Sequence, residues 1–315
     1  MNTLPRSPVR ILLAVLACVL FFSAACDRQE EAREIDLSRR SQVSKQKEMD
    51  SLTYACLPQY SHRVSFSRHH LLIEYIHEKT GLSIRQVFPD TFKEHVQMVG
   101  DGEIDFSFSN PLVYTRIADR HQAKAFARIV EKSGDADFRG QIICRADNKA
   151  IKNIEDCRNK RWIAVDPSSA AGYLFVLDHF FRHGISRNDF KEISFAKGPG
   201  GKQEKVVQAV YLGQSDIGSI REGTLEMMSD RVDPDEIRVI DSTRRFPSWV
   251  YAARKGLDPD VVKKVQKALA GLDPDKPEHR RMLKQASFRK IIPATDQDFD
   301  PIRQLNTKVE GRLND

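Results

Sequence analysis

Arg161-Trp-Ile-Ala-Val-Asp-Pro-Ser-Ser-Ala-Ala-Gly-Tyr-Leu-Phe175 decides how this chain is read. Residues 162–165 form an apolar run that predicts a buried strand, Asp166-Pro167 predicts a tight turn, and a helix follows from near Ser168. A strand that hands over directly to a helix is the unit from which α/β sheets are built. The helix start also leaves unpaired backbone N–H groups and the positive end of the helix dipole at the turn, a natural place for an anion. Ser168 and Ser169 add hydroxyls, Ala170 and Ala171 add backbone only, and Gly172 permits close approach. The same residues equally suit an ordinary helix cap, because Ser and Asp are frequent capping residues. Locally, both readings stand.

Strand and helix signals alternate on either side of this stretch. Before it, strands are expected at residues 52–57, 82–88 and 104–108, with helices over 66–80, closed by Gly81, over 90–99, closed by Gly100, and from Pro111 onward. After it come strands at 192–195, 215–219, 237–241 and 249–253, and helices over 172–181 and 205–212. A strand at 138–145 and a helical turn at 153–157 lead into it, and the part from Pro259 onward reads as largely helical. This order predicts an α/β fold of mostly parallel sheets flanked by helices.

The N-terminus carries an address. Arg6 and Arg10 precede an apolar run over 11–22 and then Ser23-Ala-Ala-Cys26. That pattern is a secretory signal peptide over residues 1–25. The run is shorter than the roughly 20 apolar residues of a membrane span. Cys26 directly after Ser-Ala-Ala resembles a bacterial lipobox, so Cys26 is the expected lipidation site. Asp27 is similar to the inner-membrane retention signal of lipoproteins. Residues 27–50 interleave charges without Gly or Pro, so residues 26–51 read as a lipidated Cys and polar tether. About 260 residues remain, which suits two α/β lobes or one large domain.

Several function classes fall away. The chain has 50 Lys+Arg against 44 Asp+Glu, and removal of Arg6 and Arg10 with the leader leaves 48 against 44. A net +4 spread evenly is no nucleic-acid footprint. Cys56, Cys144 and Cys157 make no disulfide framework. Cys144 and Cys157 read either as buried apolar thiols or as a pair formed in an oxidising compartment. His62, His69, His70 and His77 invite a metal reading, but no Cys, Asp or Glu completes a ligand set around them. Cys56 lacks the Gly-rich turn of a nucleophile. Neither a metal centre nor an enzyme is expected.

Four passages in order carry a family resemblance: Gly102-Glu-Ile-Asp-Phe-Ser-Phe-Ser-Asn-Pro-Leu-Val-Tyr114, Asn153 through Phe175, Val206-Val-Gln-Ala-Val210 with Ser215-Asp-Ile-Gly218, and Ile292-Pro-Ala-Thr-Asp-Gln-Asp-Phe-Asp-Pro-Ile302. Together they resemble the periplasmic solute-binding proteins of phosphate, phosphite and phosphonate ABC transporters. The resemblance implies a two-lobed type II periplasmic-binding-protein fold, with lobe one at 52–134 plus 245–315, lobe two at 135–244, and a ligand cleft between them. It implies a lipid-anchored extracytoplasmic monomer that captures a small anion of the phosphate, phosphite or phosphonate class and delivers it to an ABC permease of the inner membrane. Cofactor, metal and nucleic acid are not expected. Asn110 and Tyr114 would close from lobe one on Ser168, Ser169, Ala170, Ala171 and Gly172, with Arg221 and Glu222 facing them from lobe two. An alternative on the same fold is a sensory module acting on a membrane kinase.

The departures bear on the ligand. Ser169-Ala-Ala-Gly172 stands where the family usually has Ser-Thr-Ser-Gly, so two hydroxyl donors are gone. Each charge-assisted hydrogen bond lost is worth roughly 1.5–3 kcal/mol. A short Gly-His loop of the family is replaced here by residues 197–204, in which Lys202 and Gln203 are the candidates to reach the same space. A carboxylate, a sulfonate or a larger organic anion therefore competes.

Overall fold

Residues 51–314 are described by the computed structural model; the leader and Cys26 lie outside the described residues, as does the tether up to Asp50. In chain order the strands are β1 (Leu52–Cys56), β2 (Ile84–Gln86), β3 (Phe106–Ser109), β4 (Lys124–Val130), β5 (Asp137–Phe138), β6 (Gly140–Arg145), β7 (Arg161–Ala164), β8 (Glu192–Phe195), β9 (Ile217–Arg221), β10 (Ile237–Ser242), β11 (Phe246–Pro247), β12 (Val250–Ala253) and β13 (Lys290–Pro293). The α-helices are α1 (His62–Thr80), α2 (Phe92–Gly100), α3 (Pro111–His121), α4 (Phe175–Arg182), α5 (Lys202–Tyr211), α6 (Thr224–Met227), α7 (Pro259–Ala270), α8 (Pro277–Ala286) and α9 (Asp300–Asn314).

The strands form two main sheets, ordered β13-β4-β12-β3-β1-β2 and β10-β6-β9-β7-β8. The α/β class is as expected, but the sheets are mixed rather than mostly parallel. β1 pairs parallel with β2 and β3, and β7 with β8 and β9, while β12, β4, β13, β6 and β10 join through antiparallel ladders. The reason lies in where the chain changes sheet. β6 is the first long strand after the chain leaves the first sheet, and Gly140 at its start pairs with Arg221 at the end of β9. β12 is the first strand after the return, and Val250 at its start pairs with Ser109 at the end of β3. Each enters at the edge where its neighbours finish, so each runs against them. The two crossing segments are themselves joined by the short β5–β11 ladder.

Local chemistry sets the helix ends. α1 begins four residues before the expected Phe66 because the Ser61 side chain accepts the Val64 N–H, and it stops at Gly81, whose φ of 71° suits glycine. Thr91 caps α2 and Asn110 caps α3 ahead of Pro111. β4 and β13 were not anticipated. Lys124-Ala-Phe-Ala-Arg-Ile-Val130 is a weak strand former by composition, and β13 lies in a part read as helical. They exist because Lys290 pairs with Val130 and Pro293 with Ala127, a long-range ladder that overrides local preference.

Aromatic packing anchors both sheets. Trp162 is fully buried against Phe180 and Phe190, and Phe108 sits among Trp249, Tyr251 and Phe288. Such pairs contribute about 0.5–1.5 kcal/mol each beyond their buried area. The Phe108 cluster packs the carboxyl ends of β1 and β3 and the Trp162 cluster the amino ends of β7 and β9, and the residues described next follow the carboxyl ends of these strands.

Candidate functional site

The 168–174 segment is a π-helical turn, Ala170–Leu174, that runs into α4. Its N–H groups divide into used and unused. The Ser168 N–H goes to Asp166 Oδ1 at 2.9 Å, that of Ser169 to the Asp166 carbonyl at 2.9 Å, and that of Gly172 to Ser169 Oγ at 3.1 Å. Those of Ala170 and Ala171 meet no acceptor among the described residues, as the first turn of a helix requires. Gly172 is needed for packing: a Cβ there would lie 2.4 Å from Val165 Cγ2. Lys202 stays near the loop base, donating to the Ala196 carbonyl at 2.6 Å and pairing with Asp166 at 3.6 Å.

Residues that follow the first sheet's strands meet this loop. Asn110 caps α3 through Oδ1, and its Nδ2 donates to the Ser168 carbonyl at 3.2 Å. Arg116, also on α3, donates to Ser168 Oγ. The Gln203 N–H donates to the Gln59 carbonyl at 3.2 Å, and Gln203 Oε1 accepts the Arg221 N–H at 3.1 Å. Asn110, Ser169, Ala170, Ala171 and Arg221 are thus brought together, with Gln203 reaching the same space.

Arg221 lies at the end of β9, 7 % exposed, with Nη2 2.8 Å from both oxygens of Glu131. Its guanidinium lies between the rings of Phe138 and Trp249, at 5.5 and 5.6 Å. Glu222 is turned toward Arg139 and Arg245, at 2.7 and 3.0 Å. Arg68, on α1, is 6 % exposed and was not anticipated. Its Nε and Nη2 both donate to the Ala286 carbonyl, at 3.2 and 2.6 Å, and it has no ion-pair partner among the described residues. It lies over the rings of Tyr60 and Phe288. Burial, chiefly, and the nearby charge of Arg221 push its pKa below the usual arginine value, although an arginine in a protein keeps its charge.

Two cavities meet here. One of about 310 Å³ is lined by Tyr60, Arg68, Glu131, Arg221, Glu222 and Met227, among others. The second, of about 10 Å³, is bounded by Gln59, Asn110, Ser169, Ala170, Ala171 and Trp249, and shares Phe138 and Arg221 with the first. The smaller holds roughly one water molecule. Eight buried side-chain N or O atoms among the described residues lack a hydrogen-bond partner. Four of them, Gln59 Oε1, Tyr60 Oη, Arg221 Nε and Trp249 Nε1, belong to residues on these two walls. Buried polar groups are nearly always satisfied, so such a concentration of orphans, three of them donors, marks a place built for something polar.

Other expected residues lie elsewhere. Tyr114 is fully buried, its hydroxyl donating to Asp296 Oδ1 at 2.5 Å and accepting the Ala125 N–H at 3.1 Å, with its ring against Phe299. Burial, chiefly, and the Asp296 carboxylate raise its pKa. It lines neither cavity and instead holds the segment before α9. Phe66, where the first helix was expected to start, is 51 % exposed and stacked on His70. His69 bonds the Tyr54 hydroxyl, His62 pairs with Asp90, His70 faces the Phe66 and Ser67 carbonyls and His77 the Leu82 carbonyl, so the four share no centre. Cys144 and Cys157 are free and buried, and burial pushes the thiols of Cys56 and Cys157 up to about 12, far from reactive.

A family model for the periplasmic substrate-binding protein of phosphonate ABC transporters matches residues 54–299. This chain belongs to that family. The family is one of extracytoplasmic solute-binding components of transporters, not of enzymes, and among the described residues no helix is long and apolar enough to cross a membrane. Solved structures share the fold. A binding component of an ABC phosphonate transporter from Pseudomonas aeruginosa is 19% identical with a TM-score of 0.74, covering 82% of this chain and 86% of that one. A Prochlorococcus marinus protein solved with methylphosphonate is 14% identical with a TM-score of 0.73, covering 83% and 98%. A Xanthomonas citri protein solved with ATP is 17% identical with a TM-score of 0.63, covering 84% and 98%. At these identities the likeness speaks for the two-lobed fold alone.

Proposed function

We propose that this phosphonate-family binding protein takes an organic phosphorus oxyanion across its two joined cavities. The head group would lie at the small cavity, where the N–H groups of Ala170 and Ala171, Arg221 Nε and Trp249 Nε1 are unpaired donors. Gln59 Oε1 is the matching acceptor for a protonated oxygen. An oxygen of the head group would face the 310 Å³ cavity, where Arg68 and Tyr60 line the wall, and the organic substituent would extend past Phe138 into the rest of that cavity. Entry requires the small cavity to widen, and the β5–β11 ladder joining the two crossings is where bending would occur. Lobes of 52–134 with 245–315, and of 135–244, would move as bodies.

The observation that carries this reading is the clustering of unpaired buried donors on the walls of two joined cavities, with Arg221 on both walls and Arg68 on that of the larger. It also resolves the missing hydroxyls at Ala170 and Ala171: Arg68 and Arg221 supply charge where the loop lacks side-chain donors. Titration calorimetry with methylphosphonate, phosphate, phosphite, methanesulfonate and acetate tests it. Saturable binding of a phosphorus oxyanion in preference to the other two is expected; absence of binding to any of them at millimolar concentration would sink the proposal.

Delivery to an ABC permease, and a lipid on Cys26 holding the chain at the periplasmic face of the inner membrane, complete the proposed role. Incorporation of a labelled fatty acid that disappears in Cys26→Ser is the expected result, and incorporation that persists in that variant argues against the anchor.

A further inference from the structure

His179, on α4, and His183, the residue that closes that helix, are four positions apart, and the His183 N–H still bonds the His179 carbonyl, so the two rings meet on one side. Asp241, on β10, lies against them. His179 Nε2 and Asp241 Oδ2 are 2.8 Å apart, the two imidazole centroids 4.8 Å apart, and one ligand atom from each of the three residues lies within 4.8 Å of the others. Glu155 Oε1 is 3.4 Å from His183 Nδ1. None of these residues lines the two cavities of the anion site.

We propose that His179, His183 and Asp241 form a second site, one for a divalent transition-metal ion of the zinc type. The donor set makes the choice: two imidazoles and a carboxylate suit zinc, copper or nickel, whereas magnesium and calcium require shells of oxygen. A tetrahedral zinc ion with bonds of 2.0–2.1 Å holds its ligand atoms roughly 3.3 Å apart. The 2.8 Å pair opens slightly and the wider spacings close, both by side-chain rotation on a backbone held by helix and strand. The second oxygen of Asp241 accepts the Ser242 N–H at 2.7 Å, which orients the carboxylate. Glu155 beside His183 supplies further negative charge and a partner for a ring nitrogen, the usual support around a metal-bound histidine. His183 is exposed and the other two residues are half-buried, so an ion reaches the site from solvent and keeps one position for water.

The placement gives the site a consequence. α4 continues directly from the 168–174 loop, and β10 runs into the second crossing between the sheets. An ion held by both elements ties the helix behind the anion loop to the strand that feeds the hinge. The site is independent of the anion reading, so each can fail without the other.

The test uses the full chain produced without a polyhistidine tag and stripped with a chelator, titrated with zinc chloride by calorimetry, with magnesium chloride and calcium chloride as controls. One zinc per chain at micromolar affinity, a higher Tm with zinc and no response to the controls are expected. His183→Gln and Asp241→Asn should each weaken zinc binding by about tenfold or more. His183 is exposed and asparagine keeps the shape of Asp241, so circular dichroism should show both variants folded. Zinc binding of unchanged stoichiometry and affinity in both variants, or no saturable binding in the parent chain, would overturn the proposal.

Discussion

Arg68→Met is the sharpest probe of the proposed anion site. Methionine keeps the length of the stem between Tyr60 and Phe288 but removes a guanidinium that is 6 % exposed and has no carboxylate partner. A charge-assisted hydrogen bond to an anion is worth about 1.5–3 kcal/mol, so Kd should rise by about tenfold to somewhat over a hundredfold. The free protein should change little. The Ala286 carbonyl loses its donor, at a cost of about 1–3 kcal/mol, while relief of a buried uncompensated charge acts in the opposite direction. The assay is thermal unfolding with and without methylphosphonate at about a hundred times the parent Kd, where bound ligand stabilises by about 2.7 kcal/mol. For a body of this size that is a rise in Tm of about 5–11 °C. In Arg68→Met the same concentration gives only about 0.3–1.4 kcal/mol, and the shift should shrink to about 1–6 °C. An unchanged Kd and an unchanged ligand-induced shift, together with a lower Tm for the free protein, would refute the reasoning. Arg68 would then be a strut for Ala286 rather than a ligand group.

Two further outcomes follow from the same geometry and from burial. Glu131→Gln breaks the buried pair with Arg221, whose side chains are 12% and 8% exposed, and should cost the free protein about 3–5 kcal/mol by urea unfolding. An anion bound to Arg221 should restore part of that loss, so an equal loss at saturating ligand would exclude Arg221 from the site. His95 is fully buried against Ser107, and burial holds its pKa at about 3 against 6.5 in the free side chain. Unfolding therefore takes up a proton below pH 6.5, so stability is complete above that pH and falls as pH drops toward 3. At pH 5 the loss from this residue is about 2 kcal/mol, and buried His69, depressed for the same reason, adds to it. Urea midpoints at pH 7.5 and 5.0 should separate accordingly, with His95→Asn recovering part of the difference; equal midpoints would show that both rings protonate without cost.

Much of the candidate site was legible because its parts are local. The Asp166-Pro-Ser-Ser turn is visible as a strand-to-helix junction, Asn110 precedes Pro111 as a cap should, and Gln203, in the structure the second residue of α5, belongs to the 197–204 stretch whose length marks it as unusual. Tyr114 misled because a tyrosine one turn into a helix looks the same whether its hydroxyl meets a ligand or, as here, Asp296. Arg68 went unseen because nothing in Ser-Arg-His-His distinguishes a solvated arginine from a buried one. Its hydrogen-bond partner, Ala286, is 218 positions away.

The sequence by itself determined the alternation of strands and helices, the capped turns and the strand-to-helix loop at 166–172, because periodicity and capping act over a few residues. Tertiary structure decided the rest. It made the sheets mixed, since strands entering from the opposite sheet must run backward, and it called up β4 and β13 by pairing them with each other. It also decided which donors stay free. Asp166 and Ser169 consume three of the loop's N–H groups and the first helical turn leaves those of Ala170 and Ala171 free, while the side chains of Arg221 and Trp249 keep unpaired donors because the two sheets meet around them. Burial without a partner is a property of the assembled walls, and no single stretch of chain contains it.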